Sequence, residues 1–335
     1  MVAVEPRDVD RGSYLQHVLP TELVEDILSR TAPWQVARLA RLCRRVAAVL
    51  ATDQFAQLNL ARFYALKDLA LRREILVPHP SDVRWFASPA SVQRVYALRA
   101  LAQLTTLNWS HGFIVHPLAG RIPAAIELLR NLTRIDLGEN ELVGPIPASV
   151  GRLRSLRFLS LRDNRIDGPI PREIGNLSLL THLILPRNRL SGPLPDELSR
   201  ITQLTHLRLG DNQLFGPIPP SLGALLNLVE LYLEGNQLTG PVPAELCALT
   251  KLRSLMLNRN QLAGPLPEGI GALTYLSELD VSSNQLTGTL PAGLCVLTNL
   301  RWLNLERNQF DKKVSHAIAA SPVLWRFLSR ESFHV

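Results

Sequence analysis

Along residues 132–310 the apolar positions fall at the same places in every 24-residue period, and an asparagine marks each period at Asn140, Asn164, Asn188, Asn212, Asn236, Asn260, Asn284 and Asn308. Two copies read "LTRIDLGENELVGPIPASVGRLRS" and "LVELYLEGNQLTGPVPAELCALTK". The general form is L-x-x-L-x-L-x-x-N-x-L-x-G-x-I-P-x-x-L-G-x-L-x-x. Seven full copies start at Leu132, an eighth begins at Leu300 and breaks off near Phe310, and an imperfect earlier one shows Leu118, Gly120, Ile122 and Pro123. The L-x-L step, as in Leu231-Tyr232-Leu233, predicts a short strand with leucines inward and the middle residue outward. The fixed asparagine can hydrogen-bond backbone groups that a tight coil would orphan. Gly144 and its equivalents permit an unusual turn, and the proline that follows favours extended chain. The x-x-L-G-x-L tail supplies a short helical return. One such unit cannot bury its leucines, whereas stacked units can.

These residues resemble leucine-rich repeats of the 24-residue plant type, marked by L-x-G-x-I-P. The resemblance implies an α/β repeat solenoid, a horseshoe with a parallel sheet on its concave side and a second short strand at the G-x-I-P segment. The register also explains two cysteines. Cys247 and Cys295 share a column with Gly151, Gly175, Ser199, Gly223 and Gly271, where the return segment needs a small residue. They lie two repeats apart, about 10 Å at strand spacing, too far for a disulfide. Extracellular relatives of this repeat class usually carry paired cysteines in their caps, and this chain shows none.

Function is expected on the outward positions. The residue between the strand leucines reads Asp136, Ser160, Ile184, Arg208, Tyr232, Met256, Asp280, Asn304. The residue before the strand's first leucine reads Arg134, Phe158, His182, His206, Glu230, Ser254, Glu278, Trp302. Phe158, His182, Ile184, His206, Arg208, Tyr232, Met256 and Trp302 are therefore the candidate partner-binding residues. Aromatic, methionine and arginine anchors inside a charged rim suit a protein target of unidentified sequence. His182 and His206 fall on neighbouring strands about 5 Å apart. They are read as surface histidines, since no third ligand joins them and zinc wants four. Phosphate-cradling glycine loops, H-E-x-x-H, G-x-S-x-G and kinase signatures are missing, so no catalytic residue, metal or cofactor is expected.

The N-terminal pattern differs. In "VLPTELVEDILSR" Pro20 suits a first helical position, and Leu23, Val24, Ile27 and Leu28 form one apolar stripe. The stretch "WQVARLARLCRRVAAVLA" follows, with Val36, Leu39, Leu42, Cys43, Val46 and Leu50 on one face, and then "DQFAQLNLARFY". Three short helices make a very small core, marginal without a partner. Residues 19–60 resemble an F-box through Leu19-Pro20, Glu22-Leu23-Val24, Ile27-Leu28, Leu39, Leu42-Cys43-Arg44 and Phe55. Val46 stands where that family carries a tryptophan. The resemblance implies a small all-α F-box-like domain ahead of the solenoid. It would dock the adaptor of an SCF-type ubiquitin ligase through Leu19, Pro20, Leu23, Val24, Ile27 and Leu28, while the repeats hold the protein to be ubiquitinated. Two alternatives stay open: the helices only cap the solenoid, or the chain is a free-standing repeat scaffold or signalling protein. The organisation expected is a disordered tail (1–17), the F-box-like domain (18–60), a helical connector and N-terminal cap (61–107), the repeats (108–310) and a C-terminal cap (311–335).

Charge and composition narrow the partners. The net charge of +7 suggests nucleic acid, but its distribution argues otherwise. Residues 1–131 carry 16 Lys/Arg against 11 Asp/Glu, whereas residues 132–310 carry 16 of each. A phosphate-tracking stripe needs one sign on one face, so no nucleic acid is expected. No apolar run of about 18 residues predicts a membrane span. The acidic N-terminus does not read as a secretory signal, and the sequons at Asn108, Asn131 and Asn176 then carry little weight. A cytoplasmic or nuclear site is the expectation, with three scattered cysteines fitting a reducing compartment.

Overall fold

In the computed structural model of the protein the described residues are Phe86, 90–110, 117–312, 316–321, Leu324 and Phe327. The assignments for the tail, for the F-box-like stretch 18–60 with its docking residues, and for the connector up to residue 85 lie outside them. Among the described residues, two parallel sheets of nine strands each run the length of the array.

Each coil follows from its sequence. The three-residue strands, such as His182–Ile184 and Glu230–Tyr232, bury their central leucine and leave the flanking residues partly exposed. Successive strands pair in register 24 residues on, as His182 with His206 and Tyr232 with Met256. The first step is longer, since Thr106 pairs with Arg134, 28 residues on; the imperfect copy holds four extra residues, and its strand starts two residues ahead of the expected boundary at 108. The second sheet runs through the N-x-L-x-G segments, and its partners stand 22 residues apart, as Thr239 with Gln261. The return segments are 3-10 turns, such as Ala148–Arg152 and Ala244–Ala248, each entered from an extended proline. Leucine, isoleucine and valine from every coil merge into one continuous buried core.

The asparagine column ties neighbouring coils together. Asn212 donates through Nδ2 to the carbonyls of Leu185 (3.0 Å), Leu209 (3.1 Å) and Gly210 (3.1 Å), and its Oδ1 accepts from the Leu190 amide at 3.0 Å. The same pattern repeats from Asn140 to Asn308. The residue before each asparagine is left-handed, with φ between 52° and 57° at Glu139, Asp163, Arg187, Asp211, Arg259, Ser283 and Arg307. Such a conformation costs a residue with a side chain about 1–2 kcal/mol, which the surrounding hydrogen bonds offset.

The small-residue column has a steric cause. A Cβ on Gly151, Gly175 or Gly223 would fall on the backbone carbonyl of Glu173, Glu197 or Glu245 in the next return segment. Where Cys247 fills the column, the next coil answers with Gly269, whose missing side chain leaves room for the sulfur. Both cysteines are free and half-buried.

The ends are covered by chain from outside the repeat. The helix Ala90–Tyr96 leads into a wider turn at Ala97–Leu101. Tyr96, Leu101, Leu104 and Trp109 are fully buried against the first coils, and Phe86 meets the Trp109 ring edge-on at 6.3 Å. At the other end the short helix His316–Ala319 buries Ile318, with Leu324 buried beyond it. Among the described residues no helix is long and apolar enough to cross a membrane.

Replacing Asn212 by alanine strands buried amide and carbonyl groups of two coils, so chemical denaturation should show a loss on the order of 3 kcal/mol. Gln213→Ala, one residue on and exposed, should change stability by less than about 0.5 kcal/mol.

Candidate functional site

Because the strand leucines point inward, the register fixes which side chains stand side by side on the concave sheet. Phe158, His182 and His206 occupy one column on three consecutive strands. Ile184, Arg208, Tyr232 and Met256 occupy the next column on four. Met256 thus extends the row beyond Tyr232. Trp302, 54% exposed, stands apart, separated from His206 in its column by Glu230, Ser254 and Glu278.

The first column is a stack. The Arg134 guanidinium carbon lies 3.5 Å from the Phe158 ring centroid. Phe158 tilts against His182 at 5.4 Å, and His182 lies parallel on His206 at 4.2 Å, the planes 8° apart. Glu230 closes this column. It accepts from Arg208 Nε at 2.7 Å and Nη2 at 2.6 Å, and stands 3.7 Å from His206 Nε2. Arg208 in turn lies 4.9 Å from the Tyr232 centroid. The apolar anchors are therefore not a plain greasy patch; cations interleave with aromatic faces across the strip.

Two threonines hold the histidines. Thr181 Oγ1 donates to the Arg157 carbonyl (2.8 Å) and Thr205 Oγ1 to the Thr181 carbonyl (2.9 Å). The same hydroxyls lie 2.8 Å from His182 and His206 Nδ1, which orients both rings. Burial, then neighbouring His206 and Arg134, lower the His182 pKa below the ordinary histidine value. Burial raises Tyr232 and also lifts the two thiols. Among the described residues no group of three His, Cys, Asp or Glu side chains is placed to hold a metal ion.

Beyond the strand ends a charged rim follows the left-handed turns. Arg162 pairs with Glu139, Arg187 with Asp163 at 3.4 Å, and Arg259 with Asp211 at 2.8 Å. The last pair spans two coils, and Gly235 between them makes it feasible, since a Cβ there would meet both partners. Glu234 folds over Gly210 in the same way, and burial raises its pKa. Sequence columns alone did not single out Arg134, Thr181, Thr205 or Glu230 as site residues. The signal for the threonines was present in the repeated Thr-His-Leu of "THLILPRN" and "THLRLGDN".

The lowered His182 pKa has a defined sign. The unfolded chain takes up the proton first, so the contribution is intact above the ordinary value near 6.5 and is lost as pH falls through it. An NMR titration should therefore place the His182 midpoint below that of an exposed histidine, and His206→Gln should move it upward. The wild type should also lose more of its denaturation midpoint between about pH 7.5 and about pH 5.5 than His182→Gln does.

A family model described as a leucine-rich repeat region matches residues 147–262 and, overlapping, 196–323. No curated protein sequence matches the chain. Among solved structures it is similar to the plant peptide hormone receptor RGFR1 in complex with RGF2, at 32% identity over 67% of this chain and 34% of that one, with a TM-score of 0.62. It is likewise similar to the ectodomain of the Arabidopsis receptor kinase HAESA in complex with an N-terminally extended IDA peptide hormone, at 32% identity over 72% and 38%, TM-score 0.63. A plant ice-binding protein matches at 27% identity over 72% of this chain and 73% of that one, TM-score 0.59. The chain thus spans little more than a third of either receptor chain. With the family model covering more than half of its length and the coils built as described, the chain belongs to the leucine-rich-repeat family.

Proposed function

We propose that the protein is a non-catalytic binding module that holds an extended segment of another protein along its concave sheet. The observation that carries this is the continuous strip from Arg134 to Met256, in which aromatic, aliphatic and paired ionic side chains are already locked against one another. A surface whose rotamers are fixed beforehand loses little entropy on binding. Six strands at about 4.8 Å span roughly 24 Å, the reach of about seven extended residues. With the rings stacked on one another and Arg208 paired with Glu230, ring edges and the Ile184 and Met256 side chains are left for contact, so the segment recognised carries apolar or aromatic anchors. Similar repeat arrays in the two plant receptors were solved with peptide hormones bound, which supports a peptide-like ligand here.

A random peptide library displayed on phage and selected against the full chain should yield binders that weaken about tenfold or more on Ile184→Ala with Tyr232→Ala. Thermal unfolding of that variant should stay close to wild type, and Thr239→Ala on the second sheet should bind as wild type does. Peptides that bind the double variant undiminished would place the site elsewhere.

A second reading adds the SCF-type receptor role, with the protein working in the cytoplasm or nucleus. It is supported by the F-box-like residues Leu19, Pro20, Leu23, Val24, Ile27 and Leu28, all outside the described residues. The receptor-like neighbours favour the free-standing binder instead. Pull-down with the ligase adaptor separates the two: the receptor role requires retention by wild type and loss in Leu23→Asp with Ile27→Asp, and no retention by wild type removes it.

A further inference from the structure

The edge of the concave sheet at its C-terminal end holds a cleft of about 400 Å³ lined by Arg253, Tyr275, Ser277, Glu278, Asn299 and Arg301. None of these residues belongs to the Arg134–Met256 strip. Arg253 and Arg301 are equivalent positions two coils apart, about 10 Å at strand spacing, and both are exposed. Most arginines on the concave sheet and its rim are paired: Arg134 with Asp136, Arg162 with Glu139, Arg208 with Glu230, Arg259 with Asp211. Arg253 and Arg301 have no ion pair among the described residues, although Glu278 lines the same cleft. That carboxylate instead accepts from Ser254 Oγ at 2.8 Å.

The remaining polar atoms of the cleft sort by what they have left to offer. Ser277 Oγ spends its proton on the Arg253 carbonyl at 2.9 Å. Asn299 Nδ2 donates to the Thr274 carbonyl at 2.8 Å. The Tyr275 phenol, on a side chain 59% exposed, has no protein partner among the described residues. The donors left over are thus two guanidinium groups, one phenol and the second N–H of the Asn299 amide, all on residues lining one cavity with a net positive charge. Beside it stands the exposed Trp302 indole, paired in register with Glu278. Planar guanidinium forks match the oxygens of phosphate and carboxylate, and a water-facing aromatic suits the frame that carries them.

The geometry points to an oxyanion-binding site between Arg253 and Arg301, which takes a phosphate or carboxylate group carried on an apolar frame, with the Tyr275 hydroxyl as third donor. This site is independent of the peptide strip, and either can hold if the other fails.

Calorimetric titration of the full chain with phenyl phosphate, and separately with benzoate, tests it. Saturable binding of at least one probe is expected, weakened about tenfold or more by Arg253→Gln with Arg301→Gln. Arg157→Gln, in the same column but outside the cleft, and Ile184→Ala with Tyr232→Ala should each stay within about twofold of wild type. Tighter phenyl phosphate assigns a phosphate ester, and tighter benzoate assigns a carboxylate. If neither probe binds, or if Arg157→Gln weakens binding as much as the cleft variant does, the site does not exist. The substituted arginines are exposed and form no ion pair among the described residues, so circular dichroism should show the variants folded as wild type.

Discussion

One asparagine amide per coil faces three backbone carbonyls and one backbone amide that the tight turn would otherwise bury unpaired. Two of those four groups belong to the preceding coil. The same contact therefore closes one turn and docks it on its neighbour. It also holds the preceding residue left-handed, at Asp211 with φ 52°, so that the turn leaves the first sheet in the same direction every time. Strand register, leucine orientation and the outward columns all inherit their regularity from this amide. A single coil has too little apolar surface to fold alone, so coil-to-coil hydrogen bonding and coil-to-coil leucine packing succeed or fail together.

That division of labour frees the concave residues. Inward positions are confined to leucine, isoleucine or valine and the turn positions to asparagine and a left-handed residue, while the two outward columns carry no part of the scaffold. Rows of unlike side chains can then be set at strand spacing without changing the backbone. Here the freedom produces a stack of Arg134, Phe158, His182 and His206, a rotation-locked strip in place of a scatter of single apolar groups. The threonine hydroxyls beside the histidines orient the rings from the edge of the sheet. This orienting shell is built from the position just ahead of the strand.

The period, the inward and outward faces and the neighbour relations on the sheet were legible in the sequence, because a 24-residue repeat with fixed leucines leaves one way to stack. What was not legible depends on rotamers and on absent side chains. That Arg259 reaches Asp211 two coils away follows from Gly235 between them, and no column taken alone shows it. Likewise the small-residue column predicted close packing, but the exchange in which Gly269 makes room for Cys247 needs two adjacent coils read together. The place of Arg208 between Ile184 and Tyr232 was legible as well; that its guanidinium would bond Glu230 and lie over the Tyr232 ring depends on rotamers and was not. For the segment 18–60 the sequence remains the whole account, since it lies outside the described residues.

Electrostatics then separates two kinds of surface on one sheet. In the middle, charges are satisfied within the protein, Arg208 by Glu230 and Arg134 by Asp136. Half-exposed pairs of this kind add little to stability. Their effect is to cancel the local field and orient neighbouring rings, so recognition there rests on shape and aromatic contact. At the C-terminal edge the balance reverses. Glu278 is engaged by Ser254, and Arg253 and Arg301, which line the same cleft, form no ion pair among the described residues. A partner crossing from the strip to that edge would pass from a neutral, pre-packed surface to an open cationic one, and the two would select different features of it.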